Sequence, residues 1–172
     1  MPRPQPTEHA PYYGRYIDLV DEDDILAAME SQRAEVQALL ARTPDDIGPV
    51  KHPPYTWSIN QVLDHIIDGE RVFAYRALRF ARGDMTPLPS FDENEFARNA
   101  DSDRSRLRDL AAEFDAVRKT TIMMFRRFPN EAWTRGGIAS DNLVTVRALA
   151  YIIVGHARHH LNILRQRLQQ PA

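Results

Sequence analysis

Three of the six histidines stand where a helix core should place hydrocarbon. His156 and His160 are four residues apart, so on a helix their rings leave one face about one turn apart and can reach the same ion. They interrupt the apolar series Leu149, Ile153, Leu164. His65 does the same in a distant stretch, in the stripe Val62, Gly69, Val72 and Phe73. An unpartnered polar group facing a core costs about 1–3 kcal/mol. Taken singly, each can be a core histidine hydrogen-bonded to a neighbour. Together, three inward imidazoles on two helices point to a facial three-histidine set for a metal ion.

The chain has no cysteine, so any metal must be held by histidine and carboxylate. A zincin helix would carry Glu beside the first His of its pair, and Ala157 stands there. A di-iron carboxylate bundle needs Glu-x-x-His on two helices, and neither histidine-bearing segment supplies it. The candidates for further chemistry are Asp64 and Asp68, which flank His65 and could hold an imidazole tautomer or accept a proton. Arg76 could pair with a substrate carboxylate. A solvated face is the commoner role for such acids on a long helix, and an ion pair with a nearby carboxylate is the ordinary role for the arginine. His159 falls on the flank of the stripe, a surface or supporting position, while His9 and His52 sit beside prolines in predicted loops. Gly69 and Gly155 lie inside predicted helices, where each costs about 1 kcal/mol relative to Ala. They make room either for a ligand or for close helix packing.

Four elements must position these residues. The prolines leave four long Pro-free windows, each with apolar residues three or four apart. The spacing predicts helices over about 22–42, 59–82, 103–128 and 146–168. Ser58-Ile-Asn-Gln61 has the form of a capping box for the second, and Thr145 is a plausible cap for the fourth. No strand-period segment competes, so the expected fold is an all-α four-helix bundle, a single domain over 1–172 with a flexible Pro-rich start at 1–11. The connections 43–58, 83–102 and 129–145 are long and carry Tyr55, Trp57, Phe91, Phe96 and Trp133, which suits them to roof a cavity.

Composition narrows the function classes. With 22 basic and 24 acidic residues the net charge is −2, which offers no field for a phosphate backbone, so nucleic acid is not an expected partner. The N-terminus lacks the apolar stretch of a signal peptide, and the longest apolar uncharged run, Ala148 to Ala157, is about half a membrane span. A cytoplasmic protein with no membrane partner is the expectation.

The runs Trp57-Ser-Ile-Asn-Gln-Val-Leu-Asp-His65-Ile-Ile-Asp68-Gly-Glu70-Arg71, Tyr75 to Asp84, and Gly155-His156-Ala-Arg-His-His160 resemble the DinB/YfiT-like superfamily, over about residues 12–168. The resemblance implies a four-helix bundle with His65, His156 and His160 as ligands of a divalent ion, commonly zinc or nickel, often in a homodimer. Relatives of this kind include thiol-dependent S-transferases and isomerases that use bacillithiol or mycothiol. It therefore implies a metal-dependent enzyme of S-transferase or hydrolase type acting on a small molecule, with a low-molecular-weight thiol as cosubstrate. The alternative is a non-catalytic metal-stabilised or small-molecule-binding bundle, which a closed fourth ligand such as His52 or Asp68 would favour.

Overall fold

Asp24 accepts hydrogen bonds from the amides of Leu26 and Ala27 and so starts helix α2, Ile25–Leu40, behind a short helix α1, Gly14–Ile17. The helix begins three residues later than its acidic cluster suggested, because Asp24 itself is the cap. Helix α3, Ile59–Ala81, opens with the expected capping box: Ser58 Oγ accepts from the Gln61 amide and Gln61 Oε1 from the Ser58 amide, both at 3.0 Å. Helix α5 is Leu107–Arg126, shorter than expected at its start because Asp101 takes a left-handed conformation and residues 102–104 form a 3-10 turn. Helix α6 is Val146–Leu168, and Thr145 Oγ1 caps it by accepting from the Ala148 amide. Residues 2–169 are described in this computed structural model.

The connections hold structure that periodicity does not announce. Helix α4, Glu93–Asn99, lies in the 83–102 connection and is capped by Asp92, which accepts from the amides of Asn94 and Glu95. The expectation of no strand is corrected in the 129–145 connection. There β1, Gly136–Ala139, pairs antiparallel with β2, Asn142–Thr145, about a Ser140–Asp141 tip with positive φ at both residues. Four-residue strands containing a Gly-Gly pair are too short to show an alternation. Leu88 extends the hairpin, exchanging hydrogen bonds with Ile138 and Ser140.

Helices α3 and α6 run antiparallel. Trp57, just before α3, accepts a hydrogen bond from Arg167 at the end of α6, while Ala81 at the end of α3 accepts from Arg135, ahead of α6. Two hydrophobic clusters fill the bundle, one around Phe80, Phe125, Tyr151 and Ile152, the other around Leu63, Ile67, Phe114 and Leu161. Arg118 is fully buried and donates from Nε to both Glu70 carboxylate oxygens at 2.9 Å and from Nη1 to Gln32 Oε1 at 2.6 Å. Gln32 in turn donates to the Val154 carbonyl at 3.0 Å, so one polar cluster joins α2, α3, α5 and α6. No described helix is long and apolar enough to cross a membrane.

The Pro-rich start makes contacts with the bundle through Arg3 and Glu8. Arg3 donates to the carbonyls of Ile17 and Val20, and Glu8 accepts from Thr145 and Arg147. Gly155 lets α1 lie against α6: a Cβ at that position would collide with the Tyr16 carbonyl. Close packing is thus the role of this glycine.

Candidate metal centre

His65 is seven residues into α3, and His156 and His160 are twelve and eight residues short of the end of α6. At 1.5 Å per residue, antiparallel packing brings them level. The three rings form a near-equilateral triangle with centroid separations of 4.8, 4.7 and 4.7 Å. Ligand nitrogens from all three lie within 4.8 Å of one another, and the Nε2 atoms of His65 and His156 are 2.9 Å apart. Nitrogens on a tetrahedral zinc with bonds of about 2.0–2.1 Å stand about 3.3 Å apart. Ring rotations that widen the 2.9 Å pair slightly and close the longest separation, up to 4.8 Å, by as much as about 1.5 Å would seat an ion, so the donor set fits one.

Desolvation sets the charge state. His156 is 4% exposed, and burial, followed by the neighbouring histidines, holds its pKa well below the usual value. Burial lowers His65 to about 4 and His160 to about 3. The rings are therefore neutral near pH 7, with lone pairs available to a Lewis acid. The His65–His156 contact is the only hydrogen bond these three rings make among the described residues. Gly69 faces this cluster, and a Cβ there would stand 2.9 Å from His156 Cε1, so this glycine makes room for the ring.

The triad forms one wall of a cavity of about 490 Å³. Trp57 and Phe91 come from the connections expected to roof it, with the Trp57 ring 5.0 Å from His65. A further wall, which the sequence reading did not foresee, is the N-terminal segment: Tyr12, Tyr13, Arg15 and Tyr16 all line the cavity. Tyr16 packs edge-on to His156 at 5.3 Å and to His159 at 5.5 Å. Burial, then the Tyr12 hydroxyl, pushes the Tyr16 phenol up to about 12, so it remains a neutral hydroxyl. Arg15 donates to that hydroxyl at 2.9 Å and stacks over the Tyr12 ring at 3.8 Å. The signal for this wall is the run Tyr12-Tyr13-Gly14-Arg15-Tyr16, aromatic density ahead of the first long helix.

The other candidates have definite places. Asp64 accepts from Ser102 Oγ at 2.6 Å, and Asp68 lies 3.4 Å from Arg71, its pKa raised by burial and then by Asp64. Both border a small crevice behind His65 and away from the main cavity lining, whereas Glu93 borders both spaces. Arg76 is 3% exposed and donates to the Pro89 carbonyl and Ser140 Oγ, so it ties the 83–92 segment to the hairpin tip. His159 lines the cavity beside Tyr16, and His52 lies in a separate recess with Arg167.

Comparison with solved structures finds this arrangement similar in fold to YfiT from Bacillus subtilis, described as a probable metal-dependent hydrolase with an unusual four-helix bundle topology. The TM-score is 0.72 at 15% identity, over 98% of this chain and 94% of that one. A mycothiol-dependent maleylpyruvate isomerase is also similar, with a TM-score of 0.68 at 11% identity over 84% of this chain and 61% of that one. A mutant of such an isomerase gives 0.66 at 12% identity, over 91% of this chain and 64% of that one. At these identities the likeness is one of fold. No curated protein matches the chain. The family model for the DinB superfamily matches residues 28–164, most of the sequence and all three histidines. The chain belongs to the DinB superfamily.

Proposed function

We propose that this chain is a metal-dependent enzyme of thiol-transferase or hydrolase type, with His65, His156 and His160 as the ligands of a divalent ion, zinc or nickel. The observation that carries the reading is the convergence of three desolvated, neutral imidazoles on the wall of a cavity of about 490 Å³. A bound ion there would supply Lewis acidity and lower the pKa of a water or thiol ligand. The residues around it would do the rest. Tyr16 presents a hydroxyl whose proton is retained at neutral pH, a donor for an oxygen that gains charge. Arg15, at the rim, favours an anionic substrate group. Trp57, Phe73 and Phe91 exclude water from the cavity floor and suit a substrate with an apolar portion. The similarity in fold to a mycothiol-dependent isomerase supports a small thiol as cosubstrate.

The cavity on the triad's open side favours this reading over a closed, purely structural ion. Homodimerisation and a cytoplasmic setting belong to the same proposal and rest on the family resemblance; a monomeric mass by light scattering would remove the first. The deciding experiment is elemental analysis of tag-free protein beside a His65→Ala, His156→Ala double variant. One ion per chain, absent from the variant, is expected, followed by thiol transfer or hydrolysis in a substrate screen. No ion in either protein after reconstitution would discard the reading.

A further inference from the structure

Arg167, in the last turn of α6, has no exposed surface. Its Nη2 donates to the carbonyls of Val50 at 3.1 Å and Trp57 at 2.9 Å, while Nε and Nη1 have no partner. Arg118 is equally buried but lies 2.8 Å from a Glu70 oxygen. Among the described residues no carboxylate pairs with Arg167; its nearest aromatic neighbour is the Tyr55 ring, 5.2 Å away. Burial lowers the guanidinium's pKa, and the opposing influence comes from Tyr55 and not from an acid. A buried charge without a counter-charge is among the most expensive groups a fold can carry.

A second unpartnered group lies in the same place. His52 is 5% exposed and its Nδ1 has no hydrogen-bond partner. Both side chains line a cavity of about 230 Å³ together with Arg42, and the aliphatic part of the wall is Pro44, Ile47 and Leu168. No acidic residue lines it among the described residues. The C-terminal ends of α2 and α6 are close by, each with roughly half a negative charge. Two full arginine charges exceed that, and the helix ends provide no acceptor for Nε or Nη1. The volume is below the range of about 300–1,000 Å³ usual for drug-sized ligands, so a single charged group with few carbons fits and a nucleotide does not.

We propose that this recess is a second ligand site, distinct from the histidine cluster, for a small oxyanion: a phosphate or carboxylate group held by Arg167 and Arg42, with His52 Nδ1 as a further hydrogen-bonding group. The test uses the full chain, treated with chelator so that no anion is read through a metal. Inorganic phosphate and, separately, acetate are titrated at constant ionic strength while backbone amide shifts are followed by NMR. Saturable shifts at Thr43, Ile47, His52 and Leu168, without matching shifts at Tyr16 or His156, are expected. Response to phosphate alone identifies a phosphoryl group, response to acetate alone a carboxylate, and response to both a general oxyanion site. Arg42→Ala, at an exposed position, should weaken binding about tenfold, the worth of one charge-assisted hydrogen bond. Arg167→Met should abolish it, and His52→Ala gives an independent reading where Arg167→Met fails to fold. Absence of saturable shifts with either anion, shifts confined to the histidine cluster, or equal affinities in the parent, Arg42→Ala and His52→Ala would overturn the proposal.

Discussion

Two polar clusters are buried between α3 and its neighbours, and they are built on opposite principles. Glu70, Arg118 and Gln32 neutralise one another: carboxylate, guanidinium and amide are matched, and the chain ends in the Val154 carbonyl. His65, His156 and His160 are three neutral groups of one kind, each with one N–H and one lone pair, and they share a single mutual hydrogen bond. The first cluster pairs its charges within the protein. The second leaves lone pairs open to an electron-pair acceptor from outside, the ion of the proposed function. Burial of polar side chains therefore carries no functional meaning by itself; what distinguishes the two is that one pairs opposite charges and the other gathers groups of the same kind.

The sharpest way to break that comparison is to remove one member from each cluster. Arg118→Met strands the Glu70 carboxylate and should destabilise the protein by about 3–5 kcal/mol in urea denaturation; a loss under about 1 kcal/mol would mean that the two do not form the charge pair described. His160→Ala strands nothing charged. The metal-free variant should keep its stability to within about 1–2 kcal/mol, while metal affinity falls by more than the roughly 10- to 100-fold typical of losing an outer partner. Equal metal affinity in parent and variant, by competition with a chromophoric chelator, would remove His160 from the ligand set.

A smaller effect should come from Gly69→Ala, whose methyl group would press on His156 Cε1. Metal affinity should drop about tenfold, the lower end for a disturbed ligand orientation, with helix content by circular dichroism unchanged. No change in affinity would show that the ring yields freely. A separate signal is in pH. Burial holds His65 near 4 and His160 near 3, against an ordinary value of 6.5. Below pH 6.5 the unfolded chain takes up protons that the folded chain refuses, so the metal-free protein is most stable above 6.5 and loses stability as pH falls toward 4 and then 3. The urea midpoint of the parent should fall across that window, and less steeply in a His65→Ala, His160→Ala variant; parallel slopes would contradict the assignment.

The histidine cluster was legible because helical periodicity makes an exception visible: a core stripe that reads Leu, Ile, His, His, Leu announces its own anomaly. The same holds for the Ser58–Gln61 box, where local chemistry decides local structure. The rest depends on contacts between distant segments. Nothing near Tyr16 shows that Gly155 leaves space for it, and nothing around Arg76 shows that its guanidinium fastens Pro89 to Ser140. Arg167 reads as one more basic residue in a last helical turn, where cations are ordinary. Its burial comes from the 50–57 segment folding over it, which no spacing rule reports. The hairpin escaped because eight strand residues in two pieces fall below the length at which alternation is measurable.

The family match opens at residue 28, whereas Tyr12, Tyr13, Arg15 and Tyr16 precede it. Membership thus covers the three histidines and is silent on a whole side of the cavity beside them. Two members of this superfamily could share the metal chemistry and differ entirely in what they act on. On the proposed function, exchanging residues 12–16 for another sequence should leave metal content unchanged while the range of accepted substrates moves.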